Sequence, residues 1–293
     1  MEALSQILQL LFSGLTIGSI YALIAVGFVI TYNITGVLNF AQGEFAMLGA
    51  LISISLADAG VVLPVAVLLS VAGVVAIGGL FERLAIYPAR RSPLTTLIII
   101  TIGVSIALRG LALFIWGTEP HSLRPFSGLP SLHWMGAVLL PQSVWAVAVS
   151  CLMIVTLYLF FERTYLGKAV TACVVNRFAA RLMGIRPEKM SLVAITVSAG
   201  LGAIAGIIIA PISGASYNMG LMLGMKAFVA AVIGGLTNAP AAILGGFLIG
   251  IVESFTEGLW TTGFKDAISF GILLLVLFVL PNGIFAKATG KRV

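Results

Sequence analysis

Of 293 residues, 60% are hydrophobic and 9% charged, against roughly 25% charged in a soluble domain, so no water-soluble fold has interior enough for this chain. The 16 Lys and Arg outnumber the 10 Asp and Glu, yet they gather in short loops between apolar runs, a pattern of membrane orientation rather than of nucleic-acid binding. Cys151 in an apolar run and Cys173 in a basic loop give no disulfide framework and read as free thiols.

A spanning helix needs about 20 apolar residues at about 1.5 Å each. The first such run covers 7–30, and because MEALSQILQLL lacks the basic start of a cleavable signal, we expect it to stay in the protein. Gly14, Gly18 and Ala22 recur on one face of it, a seam where another helix approaches closely.

Next comes a polar island, YNITGVLNFAQGEFAMLG from Tyr32 to Gly49, with Asn33, Asn39, Gln42 and Glu44 punctuated by Gly36 and Gly43. Polar groups at bilayer depth lose several kcal/mol of hydration unless they find partners or a wet cavity. Asn33, Asn39, Gln42, Gly43 and Glu44 are therefore expected to line a path on a broken helix across 36–56. The competing reading has Asn39 and Gln42 bonding that helix to a neighbour.

Further spans are expected at 61–80, 94–116, 141–161, 192–212, 221–236, 241–255 and 266–280, giving eight or nine in all. The 94–116 span carries Arg109, which either pairs inside or, as we favour, snorkels to the nearer surface. His121 and His133 lie in a Pro- and Gly-rich loop at 117–135 without a ligand cluster, so no metal site is expected. Between the fifth and sixth spans, Val170, Val174, Phe178 and Leu182 recur every four residues, predicting one amphipathic helix over 168–184 that Gly184 ends and Pro187 does not extend. Its Ala179 and Ala180 leave a low surface for a docking protein, against the alternative of a helix resting on anionic lipid. GLGAIAG at 200–206 imitates a dinucleotide fingerprint but lacks the strand before it, and reads as helix packing.

The segments 82–93, 162–190 and 286–293 hold 12 of the 16 basic residues, which puts them in the cytoplasm and, with nine spans, the N-terminus outside. If 36–56 re-enters instead of crossing, the N-terminus moves to the cytoplasm. Glu44, Arg109, Lys226 and Glu253 remain at membrane depth, where pairing or a wet cavity is the economical outcome. Aligned at an offset of 185, Tyr32-Asn33 falls on Tyr217-Asn218, which would make Tyr217 and Asn218 a second path-lining element if the chain is built from two repeats.

The run GLTIGSIYALIAVGFVITYNITGVLNFAQGEFAMLGA closely resembles the opening of permease subunits of bacterial branched-chain amino acid ABC importers. TYLGKAVTACVVNRFAARLMGI is similar to their cytoplasmic coupling helix, and AFVAAVIGGLTNAPAAILGGFLIGIVES to their C-terminal signature. The family usually has a basic residue early in the coupling helix, where this chain has Ala169-Val170-Thr171-Ala172. The resemblance implies an all-α polytopic bundle, one permease domain over 1–293 with a coupling loop at 162–190, in the bacterial inner membrane with its C-terminus cytoplasmic. It implies a non-enzymatic subunit without a cofactor of its own, paired with a second homologous permease, two cytoplasmic ATPases that bind the ATP, and an extracytoplasmic binding protein. Ala179, Ala180, Arg181, Met183 and Gly184 would carry the ATPase contact. Leucine-type amino acids are the expected substrate, with urea or short amides as the alternative. The rival is an ion-coupled secondary transporter in which Glu44 and Glu253 titrate.

Overall fold

The computed structural model describes residues 2–134, 136–259, 262–280 and 283, so most of the basic tail falls outside the described residues. The helices are α1 (Glu2–Thr35), α2 (Gln42–Asp58), α3 (Leu63–Phe81), α4 (Tyr87–Ala89), α5 (Leu94–Trp116), α6 (Pro141–Arg163), α7 (Tyr165–Val175), α8 (Arg177–Leu182), α9 (Pro187–Ser213), α10 (Met219–Gly234), α11 (Ala239–Leu259) and α12 (Lys265–Val279). A π-helical turn, Glu82–Ile86, joins α3 to α4. The loop after α5 carries a small antiparallel hairpin, β1 (Leu132–Trp134) with β2 (Ala137–Leu139), where the sequence showed only loop.

Side-chain size decides which helices form the centre. On α1, the expected glycine seam meets α11: a Cβ on Gly14 would stand 2.7 Å from the Ile251 Cα, and one on Gly18 2.8 Å from the Phe247 Cα. Gly246 and Gly250 answer from α11 by packing against Ala22 and Gly18. The fingerprint-like run on α9 does the same for α2, with Gly202 against Phe45 and Ala203 against Gly49. Without a hydrophobic force between helices in lipid, such close backbone approach supplies the attraction. The helices α1, α2, α9, α10 and α11 thus make the interior, while α3, α5 and α6 leave most of their side chains at least partly exposed.

The chain ends sort into two groups. At one end, the basic end, the Asn33 side chain donates to the Thr237 carbonyl, Arg177 donates to the Ile34 carbonyl, and Glu188 meets Arg181 at 2.9 Å and Arg90 at 3.5 Å. At the far end, Val138 N–H donates to Gln9 Oε1, His121 and Ala215 exchange backbone bonds of 2.8 and 2.7 Å, and Trp116 Nε1 donates to Ser55 Oγ. The segment after α1 therefore starts at the basic end beside Tyr32 and finishes at the far end beside Trp116, so 36–58 crosses rather than re-enters.

Among the described residues, six helices are long and apolar enough to cross alone. The shorter α2 and α10 are completed by the non-helical stretches 36–41 and 214–218, which enter the bundle from opposite ends. The polar island is thus divided: Tyr32–Thr35 is still α1, the chain then unwinds, and the helix resumes only at Gln42.

Candidate functional site

Because α2 begins inside the bundle, its first turn carries Glu44 to the level of Ser105, the midpoint of α5. Glu44 is fully buried, and its Oε1 accepts from Arg109 Nη2 at 2.8 Å and from Ser105 Oγ at 2.9 Å. Arg109 does not snorkel, contrary to our expectation. One turn from Ser105 on the same helix face, its reach to Glu44 is short, and a charge-assisted bond in a low dielectric outweighs a longer excursion to the surface.

Two helix N-termini converge on the same carboxylate. Glu44 sits in the first turn of α2, and a Cβ on Gly220 in the first turn of α10 would collide with Glu44 Oε2. The antiparallel crossing is glycine on glycine: a Cβ on Gly43 would lie 2.8 Å from the Gly224 Cα. The unpaired N–H groups and dipole of a helix start favour negative charge there, so a carboxylate at this depth has both a cation and partial positive charges around it. Within the described residues, Glu44 Oε2 and Arg109 Nε have no hydrogen-bond partner.

Beside the pair opens a cavity of about 320 Å³, walled by Ser105 and Arg109 of α5, Gly224 and Phe228 of α10, Phe28 of α1 and Phe40 of the unwound stretch. Phe228 stands between the other two rings, 6.0 Å from each centroid.

The other membrane-depth charges also find one another. Lys226 Nζ lies 2.9 Å from Glu253 Oε1 and 2.8 Å from Asp266 Oδ1, and Glu253 further accepts from Tyr21 O–H at 2.8 Å and Ser269 Oγ at 2.7 Å. This network ties α1, α10, α11 and α12 together, which is a structural office.

The remaining island residues separate. Gln42 is wholly buried: its Nε2 donates to the Ser198 carbonyl at 3.0 Å, and its Oε1 meets Ser198 Oγ at 2.7 Å. It bonds α2 to α9, and Ser198 reaches on to the Gly27 carbonyl of α1. Asn39 is buried and turns its Oδ1 onto the Ala41 N–H, shaping the break. Asn33 lines a cleft of about 410 Å³ at the basic end together with Thr171, Thr237 and Asn238. Tyr217 and Asn218 lie in the turn before α10, where Asn218 Oδ1 accepts from Ser216 Oγ, whereas Tyr32 and Asn33 are helical, so the offset-185 pairs do not share local structure. Gly43, Glu44 and Arg109 are brought together; the others are strung from one end of the bundle to the other.

At the basic end, the single helix expected over 168–184 is two. Asn176 leaves helical geometry at φ −155° and caps α8 by accepting from the Phe178 and Ala179 N–H groups, each at 3.0 Å. The chain therefore turns between α7 and α8, and the four-residue stripe does not stay on one face. Val170 and Cys173 face the bundle, while Phe178, Leu182 and Met183 are 73%, 73% and 82% exposed. Ala180 is buried, so the free surface is bulky and apolar, not low. Gly184 has φ +82°, and the bonds from its N–H to the Arg181 carbonyl and from Ile185 N–H to the Ala180 carbonyl close α8 in a Schellman motif. Arg181 points away to Glu188. Thr171 is exposed, and its hydroxyl donates back to the Gly167 carbonyl.

Sequence reasoning missed Ser105, Ser198, Tyr21, Asp266, Ser269 and the Gly220–Gly224 face. Ser105 four residues before Arg109 was a usable signal, since i and i+4 share a helix face; the other contacts join distant segments and leave no local mark.

Long apolar helices packed around two shorter ones that start inside the bundle beside a buried ion pair make this a multi-pass membrane protein. Residues 10–277 match the family described as the permease component of the branched-chain amino acid transport system, and the chain belongs to that family. It is 33% identical to the high-affinity branched-chain amino acid transport system permease protein LivH of Escherichia coli K12, over 98% of this chain and 97% of that one. It is 32% identical to the corresponding protein BraD of Pseudomonas aeruginosa, over 98% of each, and 28% identical to a probable branched-chain permease, LivH, of Methanocaldococcus jannaschii, over 91% of this chain and 88% of that one. Among solved structures, PsaBC from Streptococcus pneumoniae in complex with Fab aligns at TM-score 0.49 and 12% identity, covering 94% of this chain and 91% of that one.

Proposed function

We propose that this chain is the inner-membrane permease subunit of an ATP-driven importer of branched-chain amino acids. The observation that carries the reading is similarity along nearly the full length to permeases named for that transport. In the assembly it would pair with a second homologous permease, two cytoplasmic ATPases and an extracytoplasmic binding protein. The path would run from the turn holding Tyr217 and Asn218, past Gly43 and Glu44 with their neighbours Asn39 and Gln42, to Asn33 at the basic end, which together with the C-terminus would face the cytoplasm.

Coupling rests on α8 and its cap. Phe178, Leu182 and Met183 offer an apolar surface to an ATPase groove, with Ala179 and Arg181 at its margin and Gly184 fixing its exit. Closure of the ATPases around ATP would bring these surfaces of the two permeases together, and only a ligand that distinguishes the two states can shift them. In the bundle, short breaks at 36–41 and 214–218 are where such a shift meets least resistance, because no helical ladder has to be broken there.

Nothing in the described geometry favours the ion-coupled alternative. Glu44 and Glu253 are each paired with a cation, Arg109 and Lys226. Reconstitution with the two ATPases and the binding protein tests the reading directly: leucine uptake should require ATP and the binding protein, and should survive collapse of the ion gradients. Uptake that persists without ATP would refute it.

A further inference from the structure

At the basic end, the π-helical turn, α4, the start of α5, α8 and the first turn of α9 enclose a pocket of about 380 Å³. Four arginines line it, Arg90, Arg91, Arg177 and Arg181, against two carboxylates, Glu82 and Glu188. The carboxylates answer little of that charge. Glu82 is buried and takes a bond from Ser191, and Glu188 offers a single oxygen to both Arg181, at 2.9 Å, and Arg90, at 3.5 Å. A guanidinium can donate through every one of its N–H groups, so most of theirs stay unused. Arg91 makes no ion pair or side-chain hydrogen bond among the described residues. Arg177 and Arg181 turn toward the bundle, onto the Ile34 carbonyl and Glu188, while Phe178 and Leu182 of the same helix stay free. The pocket lies where two apolar spans stop, since the run through α3 reaches Ala89 and α5 begins at Leu94. Leu84 on the π-helical turn and Leu94 are 73% and 54% exposed, and Tyr87 carries the Arg83 and Arg90 guanidinium groups over its ring at 4.7 and 4.3 Å. Cationic side chains, an aromatic ring and bare leucines thus meet at the depth of lipid headgroups.

We propose that this pocket binds the phosphate of an anionic phospholipid, whose acyl chains run over Leu84 and Leu94. Arginine forks suit phosphate oxygens, and one phosphate shared among several guanidinium groups relieves their mutual repulsion. A soluble anion answers the charge but leaves the two leucines bare. A neutral lipid covers the leucines but leaves the arginines unanswered. An anionic lipid does both. Seated there, it bridges α8 and the turn between α4 and α5, the two elements that Glu188 already links through Arg181 and Arg90.

The test uses the full-length permease in its purified complex, in phosphatidylcholine bilayers, with phosphatidylglycerol spin-labelled on one acyl chain as probe and its motionally restricted fraction as readout. Phosphatidylglycerol should be held saturably and in preference to spin-labelled phosphatidylcholine. Replacing Arg90 and Arg91 together with Gln should weaken that binding at least about tenfold, since charge-assisted bonds are lost. Arg91→Gln alone should weaken it several-fold, and because Arg91 makes no bond within the protein, a merely structural role predicts no change there. Arg163→Gln with Lys168→Gln removes the same charge at the same end outside the pocket and should change the affinity little. Unaltered restriction of labelled phosphatidylcholine identifies variants that keep the fold. Equal weakening by the two double variants would mean general attraction to a basic surface and overturns the site, as does unchanged affinity in both arginine variants. Inorganic phosphate should displace the lipid poorly; displacement at comparable concentrations overturns the lipid and gives the pocket to a soluble phosphate. Neither ATP nor leucine enters the measurement, so its failure leaves the transport reading untouched.

Discussion

At the scale of single residues, the two buried pairs set the terms. Arg109→Ala would leave Glu44 charged, enclosed and without its cation, a loss of about 3–5 kcal/mol in comparable buried pairs, read as a lower melting temperature of the solubilised protein. Replacing both members with Gln and Met should restore much of that stability, because the penalty lies in the stranded charge rather than in the missing bond. Gly43→Ala acts differently, by pushing α2 away from Gly224, and we expect it to abolish the folded yield rather than trim it. Cys173 shows how burial changes chemistry at a distance from any site. It is almost fully enclosed, and burial pushes its thiol above the usual range, opposed by Arg177. The raised thiol lowers the thiolate fraction at neutral pH, so maleimide labelling should be slow at about pH 7 and still rising above about pH 9, well behind a cysteine placed at Val175. Fast labelling of Cys173 at neutral pH would contradict its placement.

At the scale of elements, α8 is short enough that its two ends decide whether it forms. Asn176→Ala removes the side-chain acceptor for two N–H groups, a change of about 1 kcal/mol, and Gly184→Val forces a β-branched residue into left-handed geometry. No atom lies within contact of a Cβ at Gly184, so the conflict there is conformational and not steric with neighbours. Gly184→Asn, which tolerates that geometry, should therefore keep ATP-driven uptake, while Gly184→Val should lower it several-fold with the membrane fold intact. The measurement is uptake per molecule of assembled complex; equal loss in Asn and Val variants would show that φ is not what matters. The glycine faces of α1 and α11 make the opposite case, since space there is absent: Gly18→Leu should disrupt the bundle itself.

For the whole molecule, the grouping of chain ends is the property to test. With Cys151 and Cys173 replaced, single cysteines at Arg91 and Val175 should react with an impermeant reagent only from the cytoplasmic side, and cysteines at Asp58 and Ser122 only from outside. Reaction of both sets from one side would break the alternation of crossings. The exposed faces of α3, α5 and α6 carry a second consequence at this scale. So much bare apolar surface is stable only in lipid or against another subunit, and the monomer should aggregate outside detergent or bilayer.

Composition and run length by themselves determined that the chain crosses a membrane many times, where its turns lie and which loops are basic, because hydrophobic length and charge are properties of a segment and not of its neighbours. The glycine seams of α1 and α9 and the cap at Gly184 were legible for the same reason. Whether 36–56 crosses, whether Arg109 snorkels, and which way Ala180 faces were decided by tertiary structure. Each depends on what stands opposite: Trp116 beside Ser55, Glu44 within reach of Arg109, and a chain bend at Asn176 that turns α8 away from the stripe of α7. Glu44 and Arg109 lie 65 positions apart in the chain, and only the packing of α5 against α2, with α10 meeting α2 through Gly43, Gly220 and Gly224, makes one site of them.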